Sequence, residues 1–338
     1  MSERVLGTLH VGVANRGQWP LRKRSVATGF VPAALCDLNL DAMESARVTW
    51  ELPKSACYTD LDRAIAESKS DCAIVCTPTR FHVPMAEKLI RAGIPVLIEK
   101  GMAPDWKSAQ QLVATAKAHR GILCVAQNYR YKSAERTLAR AIHDPSYHAY
   151  VGPVHLIVYN NQRVRPEPRT LNYPFASIWD MSCHHLDSMM SWLGPIKAVT
   201  AQCWGAPWSK YEFGNNTTAF FEFENGARGH YIHTHDAARG SNEIQLHGER
   251  GAMYLREDKI EFNLKPTEQL KPGNPESVKP ELADDEVDLL RDFHAYVTRG
   301  VEPGISGRNN LETMAACEMM VRSITDHRAV FRRELEQQ

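Results

Sequence analysis

Gly12-Val-Ala-Asn-Arg-Gly17 follows an apolar run that ends near Val13, and Asp37 closes the next apolar run, Val31-Pro-Ala-Ala-Leu-Cys36. A strand that runs into closely spaced small residues can turn tightly and bring its backbone against a pyrophosphate, which the positive end of a following helix favours. The pattern is G-x-A-x-x-G, with Ala14 in place of the usual middle glycine. Gly12, Ala14, Asn15, Arg16 and Gly17 are the candidate cradle. Asp37 lies 20 residues past Gly17, where a carboxylate accepts hydrogen bonds from an adenosine ribose diol and repels a 2′-phosphate. The expected cofactor is therefore NAD rather than NADP. A glycine turn and a helix-capping aspartate in an unrelated α/β fold would read alike locally, so the context decides.

That context is an alternation of strand and helix. Helical pattern covers Leu40 to Arg47 and Leu61 to Glu67, and Asp71-Cys-Ala-Ile-Val-Cys-Thr77 is a short buried strand. Helix (Pro84 to Ala92), strand (Ile94 to Ile98), helix (Trp106 to His119) and strand (Ile122 to Ala126) follow. Strands that are apolar throughout, separated by helices, predict a parallel sheet covered on both faces, the doubly wound Rossmann architecture. Past Tyr131 the segments alternate instead: Val154 to Asn160, Ala198 to Trp204, Thr217 to Glu224, Ala227 to Thr234 and Glu243 to Leu246, with turns at Glu224-Asn-Gly226 and Gly248-Glu-Arg-Gly251. This predicts an α+β unit around a large, mostly antiparallel open sheet. Residues 265–282 read as a surface loop, and helices are expected at Asp285–Thr298 and Leu311–His327. The predicted domains are 1–127 for the nucleotide and 128–338 for substrate and assembly.

Composition narrows the class. The chain has 338 residues, 43% hydrophobic and 24% charged, ordinary for a globular protein. Its 40 basic and 40 acidic side chains cancel, so no overall field favours nucleic acid or an anionic membrane surface. No apolar run reaches the roughly 20 residues that span a bilayer, and the N-terminus lacks a signal peptide's features. The eight cysteines are scattered, several inside apolar strand patterns, without C-x-x-C spacing. They read as reduced thiols of a cytoplasmic protein rather than as disulfides or a zinc site.

Asp180-Met-Ser-Cys-His-His-Leu-Asp187 carries the candidate chemistry. At 100° per residue Asp180, His184, Asp187 and Ser191 fall within roughly 60° of one helix face, opposite Leu186, Met189, Met190 and Leu193. Such a polar stripe is expected to face a cleft. Oxidising a secondary alcohol needs a base for the hydroxyl proton, which suits His184; Asp180, one turn earlier, would orient the ring. Lys100, at the carboxyl end of a parallel strand, would hydrogen-bond the substrate oxygen and favour its alkoxide. The bland alternatives are a solvated Asp180–His184 pair and a solvated strand-end lysine. Asp187 would bond substrate hydroxyls or support His184. His233 and His235 share a strand face and are substrate candidates. Zinc held by the strand histidines with His184 is the sharper alternative, and no metal is expected. In Gln162-Arg-Val-Arg-Pro-Glu-Pro-Arg169, Arg163, Arg165 and Arg169 are candidate grips for a carboxylate, phosphate or sulfonate.

Taken together, the sequence resembles the Gfo/Idh/MocA family, the glucose–fructose oxidoreductase and inositol dehydrogenase group. The resemblance covers nearly the whole chain. It rests on Gly12 to Gly17 with Asp37, on Cys76-Thr-Pro-Thr-Arg-Phe-His82, on Ile98-Glu-Lys-Gly-Met-Ala103, on Gln127-Asn128 with Arg130, and on Asp180 to Asp187 followed by Trp192-Leu-Gly194. It implies cofactor contacts from Thr77, Pro78, His82, Glu99, Lys100 and Asn128, sugar or cyclitol substrates, and homodimers or homotetramers packed through the C-terminal sheet. Four positions depart from the family pattern: Ala14, Thr79 for asparagine, Ala176-Ser177 for a glycine pair, and Gly101 where a proline, often cis, follows the lysine. Two other activities share this pattern: NAD-recycling glycoside cleavage by transient oxidation and elimination, and non-enzymatic nucleotide sensing. Retention of Lys100, Asp180 and His184 together weighs against a sensor.

Overall fold

The computed structural model describes residues 4–22, 28–143, 151–168, 173–256, 259–264, 277–278 and 284–336. The chain divides into two compact units, 1–131 with 284–314 and 132–283 with 315–338.

In the first unit six strands form one sheet: β1 (Leu6–Val11), β2 (Phe30–Cys36), β3 (Cys57–Tyr58), β4 (Cys72–Val75), β5 (Val96–Ile98) and β6 (Leu123–Val125). Their order is β3-β2-β1-β4-β5-β6, and every neighbouring pair is parallel. β4, β5 and β6 are buried at every residue, as strands covered on both faces must be. The chain order reverses between β1 and β4, leaving at their carboxyl ends the crevice in which such sheets bind ligands. Helices Leu40–Thr49, Leu61–Glu67 and Trp106–Ala118 each start at a side-chain cap. Asn39, Asp60 and Asp105 accept from the amides of Ala42, Arg63 and Ser108 at 3.0, 2.8 and 2.8 Å, satisfying donors that the first helical turn leaves unpaired.

The first compact unit runs past residue 127 to residue 131 and takes in a later segment. Helix Asp285–Arg299 returns to the nucleotide unit, where Leu289, Leu290 and Phe293 pack with Leu6, Phe30 and Leu97. The Phe293 ring stacks on Phe30 with centroids 5.7 Å apart. Polar ties add to this: Asn128 donates to Asp285 at 2.6 Å, and the Tyr131 hydroxyl to Asp292 at 2.7 Å.

The second unit is built on β7 (Val154–Val164), β8 (Ile196–Trp204), β9 (Asn216–Phe223), β10 (Arg228–Thr234), β11 (Asp236–Gly248), β12 (Gly251–Arg256), β13 (Lys259–Leu264), β14 (Ser277–Val278) and β15 (Val330–Phe331). Their order is β14-β13-β12-β11-β7-β10-β9-β8-β15, antiparallel except for β7 beside β10. The segment expected as a loop, 265–282, lies outside the described residues except for Ser277–Val278, which pair with β13. Along β9 and β10, Ala219, Phe221, Phe223, Tyr231 and His233 point to a buried face, on which helices Ser133–His143 and Cys183–Leu193 lie. Tyr159 stacks on Trp192 at 6.4 Å, and Trp192 Nε1 donates to Glu135 O at 3.3 Å. Phe220 and Trp204 occupy the opposite face and are 60% and 50% exposed. Among the described residues no helix is long and apolar enough to cross a membrane.

Because Phe293 is fully buried in the nucleotide unit, Phe293→Ala should destabilise by about 3–5 kcal/mol, the usual range for emptying an aromatic core position. Urea unfolding would measure it. A loss below about 1 kcal/mol would mean that this helix contributes little to that core.

Candidate active site

The glycine turn is shaped by two close approaches. Gly12 has φ +83°, and a Cβ there would lie 2.8 Å from Cys76 O; a Cβ on Gly17 would collide with Gly12 O. Ala14 sits at φ −83°, ψ 157°, extended backbone that any residue adopts, so the missing middle glycine costs no strain. The helix expected after the turn is a 3₁₀ turn, Asn15–Gln18, and one helical turn, Trp19–Arg22; residues 23–27 lie outside the described ones. Asp37 ties the ends of β1 and β2 together: its Oδ2 accepts from Val13 N at 2.6 Å and Ala14 N at 3.3 Å, and its Oδ1 from Asn39 N at 2.8 Å. The narrow cradle over Gly12 and the buried Thr77 Oγ1, which has no hydrogen-bond partner among the described residues, fit an occupant held by backbone and hydroxyl donors.

Glu99, 4% exposed, joins two parts of this edge. Its Oε1 accepts from Arg16 Nε at 2.5 Å and its Oε2 from Lys100 N at 2.6 Å. Arg16 also lies 3.5 Å from Glu286. Burial pulls the guanidinium's pKa down, but Glu99 and Glu286 more than offset this and leave it raised. The Lys100–Gly101 peptide is cis, although glycine replaces the proline expected there. His82 is fully buried, with Nδ1 2.8 Å from Gly101 O and Nε2 2.7 Å from Thr77 O. Burial lowers its pKa against the pull of both carbonyls. Its ring nitrogens are thus engaged by backbone and offer a cofactor no free polar atom. Pro78 caps the 3₁₀ turn Thr79–Phe81, which leads into helix His82–Arg91. Asn128, the other contact implied by resemblance, gives its amide to Asp285.

In the second unit Asp180 stands in a π-helical turn, Ile178–Ser182, that leads into helix Cys183–Leu193. The wider i→i+5 turn shifts Asp180 out of the 100° phase assumed from sequence, and such turns concentrate at functional sites. Nor does a polar stripe face open solvent: His184 is 4% exposed and Asp187 0%, as Leu186 and Met189 are on the other side. Tyr173 hydrogen-bonds Asp180, and its pKa is raised by burial and by that carboxylate. The Tyr231 hydroxyl joins the turn to the helix, donating to Ser182 Oγ at 2.9 Å and lying 2.7 Å from His185 Nδ1.

His233 and His235 are also buried, with ring centroids 4.7 Å apart. His233 Nδ1 is 3.1 Å from Asn161 Oδ1, which also accepts from Arg163 Nε at 3.2 Å. Only a protonated Nδ1 suits that oxygen, so the neutral ring presents a lone pair at Nε2, which has no partner among the described residues. The pKa of His233 is driven well down by burial first, then by His235, Arg163 and Arg165. That of His185 falls through burial, then His233, Arg163, His184 and Lys132. His184, His233, His235, Arg163 and Arg165 all belong to this unit, while Arg169 lies outside the described residues. Sequence reasoning passed over Lys132, His185, Tyr173 and Tyr231. Among the described residues no three His, Cys, Asp or Glu side chains are grouped to hold a metal.

The buried histidines predict acid lability. Burial also lowers His10, in β1, to about 3 from its ordinary 6.5. Unfolded, such rings take up a proton near pH 6.5; folded, they stay neutral far below it. Their contribution is therefore complete above pH 6.5 and is lost as pH falls, by about 1.4 kcal/mol per pH unit for each ring. Urea unfolding between pH 7 and 4 should show this slope, and His10→Gln should reduce it by one ring's share. An unchanged slope in that variant would show that His10 does not contribute.

Comparison with known proteins agrees with these features. Residues 10–127 match the oxidoreductase family with an NAD-binding Rossmann fold, and residues 150–254 match the GFO/IDH/MocA C-terminal domain. An uncharacterised protein of Sinorhizobium fredii, y4oX, is 21% identical across 94% of this chain and 92% of its own length. An inositol 2-dehydrogenase of Rhizobium meliloti is 20% identical across 80% and 83%. The structure of the WlbA dehydrogenase from Bordetella pertussis, in complex with NADH and UDP-GlcNAcA, superposes with a TM-score of 0.81 over 97% of this chain and 99% of its own, at 18% identity. The two domain matches cover both halves of the architecture, and the chain belongs to the Gfo/Idh/MocA family of oxidoreductases, with an NAD-binding Rossmann domain at its N-terminus.

Proposed function

We propose that the chain is an NAD-dependent dehydrogenase that oxidises a secondary hydroxyl of a sugar, sugar acid or cyclitol bearing a negative charge. The observation that carries the reading is the shared carboxyl edge of the parallel sheet. There the glycine turn, Asp37 and Lys100 stand together, with Arg16 and the Lys100 amide on one buried carboxylate. NAD, when bound, supplies the hydride acceptor. On this unit Lys100 steadies the substrate oxygen as its proton leaves, and Asp37 favours a free ribose diol over a 2′-phosphate. On the other unit His184 takes the hydroxyl proton, with Asp180 as the orienting carboxylate and Tyr173 fixing Asp180.

The charge preference rests on Lys132, Arg163 and Arg165, whose positive fields reach the buried His185 and His233 rings. Arg163 Nε donates to Asn161 Oδ1 at 3.2 Å, and a guanidinium's planar fork suits a carboxylate or phosphate. WlbA, whose structure was solved with UDP-GlcNAcA, is a relative with an anionic sugar ligand. An inositol 2-dehydrogenase also stands among the relatives, so neutral cyclitols belong in any test.

The test is a screen of sugars, uronic acids, phosphorylated sugars and cyclitols with NAD and NADP side by side, following NADH formation and product identity together. Net NADH should accumulate, which separates oxidation from NAD-recycling glycoside cleavage. Lys100→Met and His184→Ala should each lower turnover at least ~100-fold, the scale of positioned acid–base groups. Arg163→Ala should raise KM for the anionic substrate at least ~tenfold and leave that for its uncharged analogue alone. Preference for neutral substrates, with no KM change in Arg163→Ala, would refute the charge assignment.

We also propose that copies of the chain assemble through the sheet face carrying Phe220 and Trp204, since exposed aromatics on one face mark interaction surfaces. Sedimentation should show a dimer or tetramer for the wild type and a smaller species for Phe220→Glu. A monomeric wild type would end the proposal.

A further inference from the structure

The geometry points to His82 as a positioning residue that fixes the loop bearing Lys100, an inference that rests on the catalytic reading of Lys100 above. β4 and β5 are parallel neighbours whose register ends at Val75 and Ile98, with Glu99 N donating to Val75 O at 2.8 Å. Beyond that point the two chains separate, one into Thr77-Pro78 and the other into Lys100-Gly101. The His82 ring bridges the gap. It reaches Thr77 O at 2.7 Å and Gly101 O at 2.8 Å from a fully buried site at the start of helix His82–Arg91. A neutral ring donates to one of these carbonyls and a doubly protonated ring to both; in either state one planar group spans both loops.

Lys100 is thereby held from two directions. Its own amide is fixed by Glu99 Oε2 at 2.6 Å, and the tautomer of His82 protonated at Nδ1 holds the next residue's carbonyl at 2.8 Å. With its backbone pinned on both sides, the Lys100 ammonium can vary its position only through its own side-chain torsions. Enzymes hold reacting groups this way because a misplacement of about 1 Å costs about 10²-fold in rate. A residue that merely filled space would need no nitrogen at either end of its ring, and His82 sets one nitrogen within hydrogen-bond distance of each loop.

The test compares His82→Leu, which removes the ring's donor and both of its nitrogen–carbonyl contacts, with His82→Gln, whose amide can keep one donor. The readout is the rate at which acetic anhydride modifies Lys100 in the intact protein, followed by mass spectrometry with and without NAD. In His82→Leu the modification rate should change about threefold to tenfold, the equivalent of one lost hydrogen bond, and protection by NAD should shrink. His82→Gln should fall between. If His82→Leu fails to fold, His82→Gln alone carries the comparison, with a smaller shift in the same direction. Folded variants with wild-type Lys100 modification and NAD protection would overturn the inference. Labelling needs no turnover, so its outcome is independent of whether Lys100→Met abolishes catalysis, which tests the catalytic reading instead. With a substrate from the screen, His82→Leu should lower kcat more than it raises KM.

Discussion

A carboxylate that is almost wholly buried must be paired, since an unpartnered charge in a protein interior is costly enough that the site would be remade around it. Glu99 meets this requirement with donors from two directions, the guanidinium of Arg16 on the glycine turn and the backbone amide of Lys100 at the end of β5. One side chain thus sets the spacing between the turn that would cradle a pyrophosphate and the lysine that would meet a substrate oxygen. Asp37 works similarly one strand further out, holding the amides of Val13 and Ala14. The edge of the sheet is organised by acids accepting from neighbouring loops, and its glycines matter because those loops pass at contact distance.

Much of this unit was legible in the sequence because its strands are buried on both faces. Cys72–Val75 and Val96–Ile98 are apolar throughout, and their shortness between helical stretches is what reads as strand. The return of helix Asp285–Arg299 was not legible. Leu289, Leu290 and Phe293 announce an apolar stripe, but a stripe does not say which core it serves. The pairs Cys57–Tyr58 and Val330–Phe331 are too short to show any period. In the second unit the alternation of β9 and β10 was clear, whereas β11 runs from Asp236 to Gly248 past a register irregularity that hides its first half.

Residue type nominates candidates for the site, while burial is hidden from sequence. Asp180 and His184 are nominated by type, but the uniform 100° repeat used to place them is broken by the π turn. His185 falls off the polar arc and was passed over, yet it is among the most buried polar side chains of the helix and bonds Tyr231. Lys132 carries no local pattern at all, and only the folded chain brings its field onto His185. His82 carried a motif signal, but the signal suggested contact with a cofactor, while the ring spans two backbone carbonyls instead.

The electrostatics of the second unit bear on how a base could work there. Burial and the positive fields of Arg163, Arg165 and Lys132 act in the same direction, driving His185 and His233 toward the neutral form. A neutral ring can accept a proton, but the same fields oppose its doing so at His185 and His233. An anion placed among those cations would offset their fields, and by linkage the rings around it would gain affinity for protons as it bound. The same positive fields would also stabilise an oxygen on which negative charge develops as its proton leaves. A fixed negative charge elsewhere on the substrate would then do more than add affinity. On the proposed reading it would also raise the proton affinity of the surrounding rings as the hydroxyl arrives.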